Sequence, residues 1–150
     1  LRNERGLTLI ELLAVVVILA IIAAIAIPAI GGLMDNTKKD AHVANAQQMV
    51  SSARLYLTGD KITAKEVTLD KLITDGYMED VEDPDTKTTV KNGTTTTGYD
   101  GTASKVTFQD GKVKDVTLVS KGPKGRNITN AAPNALNRDA VKDKATPENK

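Results

Sequence analysis

The chain has no cysteine and no tryptophan, and its 150 residues include three tyrosines, one phenylalanine and one histidine. The lack of cysteine excludes disulfide staples, thiolate metal sites and a thiol nucleophile. The single histidine, His42, has no partners patterned as a catalytic triad and is expected on the solvent face of a helix. So few aromatic side chains weigh against a large core. An excess of one charge is missing too, with 20 basic against 19 acidic residues, so the balance selects neither nucleic acid nor an anionic membrane surface. A small basic group, Lys121, Lys124 and Arg126, is offset by an acidic run, and DNA is a partner that the charges do not support. There is no nucleophile–base pair, metal-ligand cluster or phosphate-binding loop, so neither catalysis nor a cofactor is expected.

What the chain does have is a long apolar run. Leu12 to Met34 is 23 residues without a charge. At about 1.5 Å per residue, a helix of that length spans the roughly 30 Å of a bilayer's hydrocarbon core. The polar segment Leu1-Arg2-Asn3-Glu4-Arg5-Gly6 precedes it, and Asp35, Lys38, Lys39 and Asp40 follow. A secretory signal peptide cut after Ala24-Ile25-Ala26, or a plain signal anchor, has the same outline. Neither accounts for Glu11, a carboxylate inside the apolar block, where an unpaired charge is costly and points to function.

Cleavage between Gly6 and Leu7 would give Glu11 a partner. The new α-amino group has an ordinary pKa of about 7.7–8.0 and is largely protonated at neutral pH. Glu11 lies four residues on, one helical turn along the same face. It could neutralise its own amine or that of a neighbouring subunit, and the second pairing would set the stagger between packed helices. The same cut removes two arginines and one glutamate, leaving 18 basic and 18 acidic side chains.

Gly6-Leu7-Thr8-Leu9-Ile10-Glu11-Leu12-Leu13, followed by the apolar run, resembles the class III signal of type IV pilins and pseudopilins. The resemblance implies a prepilin peptidase that cuts after Gly6 and methylates Leu7, and it assigns Glu11 and Thr8 to subunit assembly. It places Pro28 at the family's helix-kinking proline. The implied partners are further copies of the chain in a helical homopolymer, the prepilin peptidase, an assembly platform protein with its ATPase, and the membrane before assembly. Leu7 stands where phenylalanine is commonest in the family. The chain begins with Leu1 rather than Met, so the leader is expected to extend upstream or to start at a non-standard codon. Proline removes a backbone donor, and each of Gly31 and Gly32 weakens a helix by about 1 kcal/mol relative to alanine. A kink or a locally unwound segment is therefore expected there, a source of extensibility in a filament.

Beyond the glycine pair, Ala46, Met49, Val50, Ala53, Tyr56 and Leu57 recur at helical spacing and define one apolar face. Gly59 is placed to end that helix. Thr68 caps, and Gly76 ends, a short helix carrying Leu69, Leu72 and Ile73. The following Gly-Tyr and Asp83-Pro84 resemble the segment after the long helix of Gram-positive pilins and major pseudopilins. Glu79, Asp80, Glu82, Asp83 and Asp85 read as a solvated acidic loop, with Asp80, Asp83 and Asp85 as weak calcium ligands, since some pseudopilins bind calcium. Thr88 to Val90 before Asn92-Gly93 forms a first hairpin, with Thr94 to Thr97 returning. Lys105 to Gln109, Asp110-Gly111, then Lys112 to Val119 form a second, with a bulge expected because Val113 is out of phase with Val116 and Leu118. Two glycosylation triplets, at Asn92 and Asn127, carry little weight. Residues from 122 onward, poor in large apolar side chains, are expected as loop and tail.

The expected fold is α+β: a long kinked helix packed on a small antiparallel sheet. The segments are a leader (1–6), a membrane or filament-core half of the helix (7–34), an amphipathic half (35–58), a head (59–130) and a flexible tail (131–150). The resemblance implies a structural role as a major pilin, first a single-pass membrane precursor and then part of an extracellular pilus. The absence of a cysteine-closed terminal loop points to a Gram-positive source. The alternatives are a pseudopilin for DNA uptake or type II secretion and, in another class, a membrane-anchored binding module that does not polymerise.

Overall fold

The computed structural model describes residues 4–58, 63–86, 88–91, 94–95 and 98–144. The chain opens with helix α1, Glu4–Thr58. It continues through β1 (Glu66–Thr68), α2 (Leu69–Thr74), β2 (Val81–Asp83), β3 (Thr88–Lys91), β4 (Thr94–Thr95), β5 (Lys105–Gln109), β6 (Lys112–Leu118), β7 (Arg126–Ala131) and β8 (Val141–Asp143). Short 3-10 turns lie at Pro133–Ala135 and Arg138–Ala140. Two compact units result, residues 1–37 and residues 38–150.

Among its described residues the first unit is helix alone. Its large apolar side chains, from Leu9 to Met34, are 50–71% exposed. α1 runs unbroken through Pro28, Gly31 and Gly32, so the local unwinding expected there does not occur in the single subunit. Proline forfeits one backbone bond, and the alanines on either side still favour helix. A Cβ built on Gly31 or Gly32 would meet no atom, so neither glycine answers to packing within the subunit.

The second unit holds the core. The expected face of α1 is buried: Ala46, Met49, Val50, Ala53, Tyr56 and Leu57. It shares one apolar cluster with Leu69 and Leu72 of α2 and with Val106, Val116, Leu118 and Ile128 of the sheet. Each such leucine or valine contributes about 1.5–3 kcal/mol by leaving water. Tyr56 and Tyr77 meet edge to face, with centroids 5.4 Å apart.

Five antiparallel strands form the main sheet in the order β1-β5-β6-β7-β8, and β2-β3-β4 form a second. Asp110 (φ 52°) and Gly111 (φ 72°) both take the left-handed conformation, which suits the tight turn between two twisted strands. Thr107 pairs with Asp115 and Phe108 with Val113. Lys114 is therefore the extra residue, and the bulge expected from the phase of Val113 is present. Lys91 pairs with Thr94; Asn92, Gly93, Thr96 and Thr97 lie outside the described residues, as does Gly59. The Thr68 hydroxyl accepts from the Lys71 N–H, capping α2. Gly76 (φ 77°) closes it, its N–H donating to the Ile73 carbonyl.

The C-terminal stretch departs from expectation. Residues 126–131 form an inner strand, and 141–143 an edge strand pairing Ile128 with Val141, so the tail expected over 131–150 is ordered structure as far as Lys144. The backbone ladder needs few apolar side chains here: Ile128, Leu136 and Val141 are the ones buried in the core, with Ala131 and Ala140 packed against it.

Candidate functional site

Two sets of residues carry candidate functions, one in each unit. In the first, the Gly6–Leu7 peptide lies in the opening turn of α1, where the backbone N–H groups have no intrahelical partner and the helix frays most readily. Glu11 follows one turn later, about 6 Å along the axis, with its side chain exposed among apolar neighbours. From Leu7 to Thr37 the charged side chains are Glu11 and Asp35, and none is basic. An amine freed at Leu7 would be the cation of this stretch, on the same face as the Glu11 carboxylate. Thr8 is the second residue after the cut.

The prokaryotic N-terminal methylation motif matches residues 1–27. It is the class III signal peptide of type IV pilins and pseudopilins. The chain thus carries the mark of a type IV pilin-like precursor, and its helix, long and apolar enough to cross a membrane, fits a membrane-anchored form. The long helix and the five-stranded antiparallel sheet are consistent with the α+β pilin fold. No curated protein and no solved structure matches the chain.

In the second unit, the side chain expected at the surface is a buried hub. His42 is 1% exposed. It extends the apolar face of α1 backwards, one turn before Ala46, and that spacing is the signal that could have placed it inside. Its Nε2 lies 2.9 Å from Asp85 Oδ2, and its Nδ1 lies 2.6 Å from the Tyr99 hydroxyl. Asn45 Nδ2 donates to that hydroxyl at 3.2 Å. One assignment satisfies the chain: Asn45 donates to Tyr99, Tyr99 to Nδ1, and the Nε2 proton to Asp85. Burial pushes the Tyr99 phenol well above its ordinary value, opposed in part by the Asn45 hydrogen bond, so it acts here as a neutral donor.

The acidic run is divided by the fold. Asp83 is fully buried at the end of β2, and its carboxylate accepts from the Ser120 hydroxyl at 2.6 Å and from the Asp85 N–H at 2.9 Å. Asp85 Oδ1 lies 3.6 Å from Lys38 Nζ and 3.7 Å from an Arg126 nitrogen. A Cβ on Gly125 would collide with the Ser120 hydroxyl, so glycine there leaves room for this bond. Glu79, Asp80 and Glu82 face solvent. The solvated loop expected for all five acids therefore holds for these three, and Asp83 and Asp85 are corrected to paired groups, Asp83 buried and Asp85 partly buried. Asp80 does not join them. His42, Asp83 and Asp85 do present donor atoms within 4.8 Å of one another, yet hydrogen bonds and the two cations already engage these atoms. The cluster acts as a polar staple joining α1, the β2 turn and the main sheet.

Proposed function

We propose that the protein is the major subunit of a type IV pilus. In this reading it enters the membrane by the helix that starts near Leu7, is cut after Gly6 by a prepilin peptidase, is methylated at Leu7, and is passed by an assembly platform and its ATPase into an extracellular homopolymer, in a Gram-positive cell. The observation that carries the reading is Glu11, set four residues after the scissile peptide in a stretch whose cation would be the new amine. An uncompensated carboxylate among exposed apolar side chains is unfavourable in lipid and in a filament core alike, and pairing with the amine of a neighbouring copy relieves it while fixing register. Pro28, Gly31 and Gly32 serve the same assembly by letting α1 loosen. The role is structural rather than catalytic. Replacing Glu11 with Ala should stop filament formation while the subunit still accumulates in the membrane. Normal filaments from Glu11→Ala would contradict the reading and favour an anchored module that does not polymerise.

A further inference from the structure

The head carries two grooves of opposite charge, near the two ends of its share of α1. One, of about 260 Å³, is lined by Asn45 and Gln48 of α1 together with Asp80, Glu82 and Pro84. The other, of about 520 Å³, is lined by Arg54, Leu57 and Thr58 of α1 with Lys112 and Val113 of β6. Asp80, Glu82, Arg54 and Lys112 are all exposed. Several other charges of the head pair internally: Asp40 with Arg138, Lys71 with Asp75, Lys105 with Glu66, Arg126 with Asp143. Among the described residues no ion pair engages the two acids and two bases that line the grooves. Leu55, 59% exposed and next to Arg54, is the one large apolar side chain left open among the described residues of this unit. It adds apolar area at the basic end.

We infer that the acidic groove of one copy receives the basic groove of another, Asp80 and Glu82 facing Arg54 and Lys112. The inference rests on the filament reading above and names the contact through which the heads recognise each other. The partner is a second copy because each groove finds its complement on the same chain. Asn45 and Leu57 are separated by about 18 Å of helix at 1.5 Å per residue. Two different patches so displaced make a head-to-tail contact, the kind that generates an open helical polymer when its rotation does not close a ring. Balanced total charge removes the self-repulsion that would oppose such packing.

The test is charge reversal and exchange in the cell that makes the filament. Three variants are compared with the unaltered chain: Asp80→Lys with Glu82→Lys, Arg54→Glu with Lys112→Glu, and all four together. Each pair of reversals should lower the filament recovered by shearing about tenfold, and the fourfold variant should return to within about twofold of the unaltered chain. Cleaved subunit in the membrane and its thermal unfolding should stay unchanged in all three, since these side chains are exposed. Reversed pairs that assemble normally would overturn the contact and leave the grooves to some other partner. A fourfold variant no better than the pairs would overturn it as well. If the unaltered chain is never cut at Gly6, or is cut and forms no polymer, the filament reading itself fails and takes this contact with it.

Discussion

Residues 1–37 and residues 38–144 solve the problem of burial in opposite ways. In the first stretch large apolar side chains stand in the open and one carboxylate sits among them. In the second, the large apolar side chains other than Leu55 are at least partly covered among the described residues, and polar side chains such as His42, Asp83 and Ser120 are buried with their bonds made. The head can therefore be stable by itself, whereas the N-terminal helix is complete only in lipid or among other helices. A buried charge in the head is neutralised by neighbours already folded around it. On the proposed reading, the charge in the helix awaits a group that cleavage would create and another subunit would supply.

The difference predicts that the two regions can be damaged separately. The largest effect is expected at the polar staple. His42→Ala leaves the Tyr99 hydroxyl and the Asp85 carboxylate without their central partner and opens a cavity, at a cost of about 3 kcal/mol. The melting temperature of the detergent-purified subunit should fall by roughly 10–15 °C, while cleavage at Gly6 proceeds as before. A head that melts normally would break the comparison.

A smaller effect is expected at Gly31 and Gly32, where a methyl group meets nothing. Alanine at each should stabilise the helix by about 1 kcal/mol. A peptide of residues 7–37 should gain helicity by circular dichroism, and filaments of the double variant should form but stretch less under force. Unchanged extensibility would remove these glycines from the account of assembly.

The smallest effect concerns Asp70, whose carboxyl titrates above its ordinary value of 3.8, first through burial and then through the charge of Asp100. The folded state holds this proton more tightly than the unfolded chain does. The stability it confers is full below the unfolded value of 3.8 and is lost as pH rises through the raised folded value. Asp70→Asn should raise the melting temperature by roughly 1–3 °C at neutral pH, and the gain should vanish in acid. A gain that persists in acid would mean that charge is not the cause.

Local signals predicted local structure well. The stripe from Ala46 to Leu57, the Thr68 cap, the Gly76 stop, the Asp110-Gly111 turn and the bulge near Val113 depend on neighbours in the chain, and each is where its pattern placed it. The processing segment is equally local, and residues 1–27 match its motif. Elements that depend on distant partners were hidden. β1 and β2 have three residues each, too short to show a period. β7 is polar apart from Ile128 and Ala131, and takes its place from the ladders to β6 and β8. The staple joins His42 to Asp85 and Tyr99 across 43 and 57 residues. Nothing in the spacing of Asp83 and Asp85 separates buried acids from the solvated Asp80 beside them.

Mass spectrometry of the N-terminal peptide from sheared surface filaments bears most directly on the central claim, because it reads cleavage, methylation and surface assembly together. The account predicts a peptide that begins at Leu7 and carries one N-methyl group. A peptide that begins at Ile27, or an uncut leader on surface material, would contradict it.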